Sequence, residues 1–105
     1  MNRYFLTGIC HAERQEGINQ IRDCIGRYGF LTDSRFFSDL AMSMQIELEE
    51  RQVPACYSDL AGVLQLSPLP PEQPAESSEE CLILLHVAFA RGTGNLEIDI
   101  PEVPG

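Results

Sequence analysis

Between an apolar stretch ending at Cys10 and a helix-period stretch starting at Ile18 stands a cluster of charged side chains with one glycine, His11-Ala12-Glu13-Arg14-Gln15-Glu16-Gly17. At a helix start, unpaired backbone N–H groups and the positive end of the helix dipole favour an anion, so a carboxylate has a ready place there. Arg14 can add a charge-assisted hydrogen bond to that carboxylate, and Gly17 lets a small molecule approach the backbone. Glu13, Glu16 and, further along, Asp33 supply negative charge for an ammonium group. The competing reading of the same residues is solvated charge around a helix end, since charged residues are mostly exposed. As a set they are the best site the sequence offers.

Other chemistry is poorly supported. Cys10, His11, Cys81 and His86 are metal-ligand types, but a structural zinc site needs four convergent ligands in close-spaced pairs. Cys10 and His11 are adjacent and Cys81 and His86 are five apart, so on strands each pair points to opposite faces. No nucleophile motif frames any Cys or Ser. Arg91-Gly92-Thr93-Gly94-Asn95 lacks the Lys and following helix of a phosphate loop and reads as a hairpin turn. Glu49-Glu50 and Glu79-Glu80 read as solvated surface at element ends. These patterns predict neither a catalytic centre nor a bound metal or other cofactor.

The chain of 105 residues has the length of one domain. It is 44% hydrophobic and 22% charged, enough apolar material for one core in a soluble protein. All seven cations are Arg, and the net charge of −9 repels phosphate backbones, which argues against nucleic acid as a partner. No apolar run approaches the roughly 18 residues of a membrane span, and the N-terminus lacks the pattern of a signal peptide. The four cysteines, Cys10, Cys24, Cys56 and Cys81, therefore read as buried free thiols in a reducing cytoplasm.

The elements that must position the charged cluster follow from periodicity. Residues 3–10 read as a strand with large apolar side chains on both faces, which suits a central position. Ile18, Ile21, Cys24 or Ile25, and Tyr28 form a helical stripe, ended by Gly29. Residues 30–37 and 40–49 read as a hairpin about Ser38-Asp39. In its second arm Leu40, Met42, Met44, Ile46 and Leu48 face inward. Pro54 marks the start of a second helix with a stripe of Val53, Cys56 or Tyr57, Leu60, and Val63 or Leu64. A Pro-rich loop over 67–78 leads to an apolar strand over 81–90, then a turn at 92–95 and a short strand at 96–100. The domain is thus one unit, with core 3–66 and 80–90 and an extension over 91–105. The order is β-α-β-β-α-β with an added strand, the split-βαβ arrangement. Its amphipathic strands and unprotected sheet edges favour self-association.

Residues 4–66 resemble an ACT domain, the amino-acid-sensing module, of the glycine-cleavage-repressor and phosphoserine-phosphatase type. That family has an apolar strand, Asp-Arg-Pro-Gly-Ile/Val opening a helix, and Gly-x-Asn-Ile-x-Asp-Ser-Arg on the next strand. Here Glu13-Arg14-Gln15-Glu16-Gly17-Ile18 and Gly29-Phe30-Leu31-Thr32-Asp33-Ser34-Arg35 stand in those positions. Two departures are visible. Gln15-Glu16 replaces the single proline, and Phe30-Leu31 replaces the Asn-Ile pair, removing an amide that could touch a ligand. The resemblance implies an α+β, ferredoxin-like βαββαβ sandwich with an extra C-terminal β-strand, and a homodimer formed by sheet-edge pairing. It implies that His11, Glu13, Arg14, Gln15, Glu16, Gly17 and Ile18 of one subunit hold an amino acid together with Leu31 and Asp33 of its neighbour. The expected function is that of a stand-alone, cytoplasmic regulatory protein, not an enzyme, that passes ligand occupancy to a protein partner. The alternative is a ligand-free protein–protein interaction module of the same fold.

Overall fold

The structure, a computed structural model, describes residues 2–69 and 78–90. The middle of the Pro-rich loop (70–77), the expected turn at 92–95 and the expected strand at 96–100 lie outside the described residues. The elements run β1 (Asn2–Cys10), α1 (Arg14–Tyr28), β2 (Gly29–Ser38), β3 (Ala41–Glu49), α2 (Val53–Leu60), β4 (Leu64–Leu66) and β5 (Glu80–Phe89), with one 3-10 turn at Glu50–Gln52 before α2. They make an α+β protein with a five-stranded mixed sheet and two helices. Among the described residues no helix is long and apolar enough to cross a membrane.

The strands lie side by side in the order β2-β3-β5-β1-β4. β5 is a central strand, parallel to β1 on one side and antiparallel to β3 on the other. β2 and β4 pair antiparallel with β3 and β1 and form the two edges. It follows that β1 and β2, joined through α1, run parallel with β3 and β5 standing between them.

Period-two alternation decides which side of the sheet is covered. Tyr4, Leu6 and Cys10 of β1, Met42, Met44, Ile46 and Leu48 of β3, and Cys81, Ile83, Leu85, Val87 and Phe89 of β5 are buried. They form one core with Ile18, Ile21, Cys24 and Ile25 of α1 and Val53, Cys56 and Leu60 of α2. Both helices thus cover the same face, and among the described residues nothing covers the other, bare face.

Three boundaries differ from the sequence expectation. The first helix begins at Arg14 rather than Ile18, because the Glu13 carboxylate caps it, accepting hydrogen bonds from the backbone N–H groups of Gln15 and Glu16, each at 3.0 Å. The second helix stops at Leu60, and Leu64 enters the core from the short strand β4 instead. Leu40 does not face inward: it sits in the β2–β3 turn, 51% exposed.

Two polar contacts pin the periphery of the core. Glu50, only 3% exposed, accepts hydrogen bonds from the Tyr4 hydroxyl at 2.9 Å and from the Asn2 side-chain amide. Burial, aided by that carboxylate, pushes the Tyr4 phenol up to about 12. At the far end of α1, the Tyr28 hydroxyl and the Arg27 guanidinium donate to the Asp59 carboxylate at 2.6 and 2.9 Å, tying α1 to α2. The hydrogen bond from Tyr28, then that from Arg27, holds the Asp59 carboxyl below its ordinary value of 3.8 against the opposing effect of desolvation. A depressed carboxyl stabilises the fold above its unfolded-state pKa and loses that contribution as pH falls through the folded-state value. Asp59→Asn is therefore expected to lower the melting temperature at neutral pH and to flatten its fall as pH drops below the ordinary value of 3.8. Thermal melts of both proteins across that range check this.

Candidate functional site

The charged cluster at the start of α1 is largely occupied by the protein itself. Glu13 fills the helix N-terminus with its own carboxylate. His11 Nε2 lies 3.2 Å from Gln65 Oε1 on β4, and Gln15 donates to Asn19 Oδ1 at 3.3 Å within the helix. The Arg14 guanidinium stacks 4.5 Å above the ring of Phe36, and its Nε is buried with no hydrogen-bond partner among the described residues. Glu16 is exposed in the first turn, and Ile18 belongs to the core.

Gly17 needs its missing side chain for packing. A Cβ there would overlap Cys10 Sγ and reach within 3.9 Å of Phe89 Cε1. The glycine brings α1 down onto β1 and β5, and its Cα faces protein rather than an approaching molecule.

Leu31 and Asp33 straddle the edge strand. Leu31 pairs with Ile46, a core residue, and is half-buried on the helix side. A bulge at Thr32 resets the register, so Asp33 pairs with Gln45 on the bare face. Within one chain Asp33 therefore lies on that face, apart from the start of α1.

The bare face is ordered in rungs that run across the strands from β2 to β1. The strand register aligns Arg35, Ser43, His86 and Thr7 in one rung, and Asp33, Gln45, Leu84 and Phe5 in the next. Phe30, Glu47, Leu82 and Arg3 form the rung below these, and Ser38, Ala41, Ala88 and Ile9 the rung above. The two middle rungs enclose a hollow of about 280 Å³ lined by Phe5, Thr7, Asp33, Ser43, Gln45, Leu84 and His86. Its floor is apolar, from Phe5 and Leu84. Two hydroxyls, an amide, a carboxylate and an imidazole surround that floor. His86 is stacked on Phe37 with ring centroids 5.7 Å apart, and the Asp33 carboxylate is only loosely paired with Arg35 at 3.9 Å.

Of the residues expected to bind a ligand, only Asp33 lines this hollow. No local pattern singles out the others, although one signal is present: β1 carries Phe5 and Ile9 on the side opposite Leu6. That pattern suggests burial on both faces, whereas Phe5 is 70% exposed.

All four cysteines are free and buried. Desolvation pushes the Cys56 thiol up to about 12 and the Cys81 thiol up to about 11. Among the described residues no group of three or more His, Cys, Asp or Glu is placed to hold a metal ion. No family model, no curated protein and no solved structure matches the chain.

Proposed function

We propose that the chain is a homodimeric regulatory protein of ferredoxin-like, ACT-like architecture, without catalytic activity, that binds a small amino-acid-like ligand on the bare face of its sheet. The observation that carries this is the amphipathic hollow of about 280 Å³ at the centre of that face. Its volume is near the lower end of small-ligand sites, about 300 Å³, and suits a molecule of amino-acid size. Phe5 and Leu84 bury an apolar side chain. Asp33 takes the ammonium group, and the hydroxyls of Thr7 and Ser43 with the Gln45 amide serve the carboxylate. The parallel, non-adjacent placement of β1 and β2 supports the ferredoxin-like reading, because it is the split βαβ unit; β5 is an insertion between β3 and β1. Four buried, unpaired thiols support residence in the reducing cytoplasm.

The ligand-free interaction module is favoured by one separate observation. Phe5, Phe30 and Phe37 are 70%, 73% and 60% exposed on or beside the same face, more apolar surface than a small solute needs.

A thermal-shift screen against the proteinogenic amino acids separates the two, since a ligand that binds only the folded state raises the melting temperature. The expected result is a shift from one compound that is lost in Asp33→Asn and kept in Arg14→Ala. A shift lost only in Arg14→Ala would move the site back to the start of α1. A flat screen would leave the interaction module.

A further inference from the structure

We propose that a second copy of this chain docks face to face on the bare side of the sheet, with the two-fold axis running along β5. Of the function proposed above, this contact requires the homodimer and not the ligand.

The face has the extent of an interface. Four strands of nine or ten residues plus β4 span about 30 by about 20 Å, or about 600 Å² before side-chain relief is counted. A standard protein–protein contact covers about 800 Å² on each partner.

Its charge favours self over a foreign partner. The chain as a whole carries −9, which would draw a basic partner to most of its surface. Within the four rungs, however, Arg3 and Arg35 balance Asp33 and Glu47. Glu49 and Glu80 lie one rung further out, where Arg51 binds Glu49 at 2.6 Å. Among the described residues neither Arg3 nor Glu47 makes an ion pair within the chain.

The placement of those two charges selects the axis. Arg3 and Glu47 flank Leu82 on opposite sides in one rung. A two-fold axis along β5 lays each Arg3 over the other copy's Glu47, so the contact forms two ion pairs by symmetry. The same operation sets Phe5 over Gln45, Thr7 over Ser43 and Ile9 over Ala41, and brings Leu84 and His86 to their own copies. It closes the hollow between two sheets stacked about 10 Å apart. Turning the axis across the strands would instead lay Arg3 over the Ile9 end of its partner and leave the charge without a mate.

Analytical ultracentrifugation of the full chain, with no amino acid added, tests this. The expected result is a dimer that dissociates at least about tenfold more readily in Arg3→Glu and in Glu47→Arg, and recovers in the double reversal. Because Phe5 is exposed, Phe5→Asp is expected to fold and to be monomeric, with circular dichroism confirming the fold. In His86→Cys a short bis-maleimide is expected to join the two copies, the native thiols being buried. A monomeric native chain would overturn the proposal. So would a dimer that survives Phe5→Asp and leaves His86→Cys uncrosslinked, the pattern of sheet-edge pairing. A monomer that dimerises only after removal of residues 91–105 would assign the face to that segment instead.

Discussion

A chain that stops at Glu79 is expected not to fold, whereas one that stops at Ala90 keeps every contact described above. The reason is the place of β5. It pairs along its whole length with β1 and with β3, so without it two ladders open at once. Its inward side chains Cys81, Ile83, Leu85, Val87 and Phe89 also leave the core. Burying an aliphatic or aromatic side chain contributes about 1.5–3 kcal/mol, so losing this set removes as much as the whole net stability of a small domain, about 5–15 kcal/mol. Far-UV circular dichroism and a urea titration would show no cooperative transition in the shorter chain. A cooperative transition there would mean that β1 and β3 can pair directly, and that β5 is an accessory to a smaller sheet.

Gly17→Val is expected to lower stability by about 2–3 kcal/mol, at the upper end of what overpacking a closed core costs. The overlap is with the buried Cys10 Sγ, not with the far end of a flexible side chain, so strand or helix must shift. Cys10→Ala removes that sulfur and is expected to restore part of the loss, making the two substitutions non-additive. Urea unfolding of both single variants and the double variant gives the coupling. If Gly17 instead served ligand approach, Gly17→Val would leave the ligand-free midpoint unchanged.

Both expected effects depend on how elements pack against one another, which a local pattern does not state. The alternation of Met42, Met44, Ile46 and Leu48 announces a strand with one covered face, and the stripe Ile18, Ile21, Cys24, Ile25 announces the helix over it. These are local periodicities. Strand order is not local: the apolar run in β5 says that it is surrounded, not that its neighbours are β1 and β3. The short β4 is held by pairing with Gly8, Ile9 and Cys10, contacts that no window of sequence contains. The apolar stripe starts at Ile18 and the helix at Arg14 because a Glu acts as the cap, a role more usual for Ser, Thr, Asp or Asn. In the sequence Phe5, Ile9, Leu82 and Leu84 have the character of interior residues, which conceals the bare face. On a sheet covered by helices on one side only, Phe5 and Ile9 are exposed and Leu82 and Leu84 only half-buried.

The bulges in β2 bear on how copies of this chain can meet. An edge strand of ten residues carrying Phe30, Phe36 and Phe37 would ordinarily be a template for strand after strand, an open-ended process that produces fibres. Here the register breaks at Thr32 and again at Phe37, and the Thr32 hydroxyl donates back to the Gln45 carbonyl at 3.1 Å. An incoming strand would meet two interruptions within ten residues, with Asp33 and Arg35 between them. The opposite edge, β4, is only three residues long. The twice-broken register makes β2 a poor template for an added strand, whereas the two-fold contact proposed above would satisfy itself and stop.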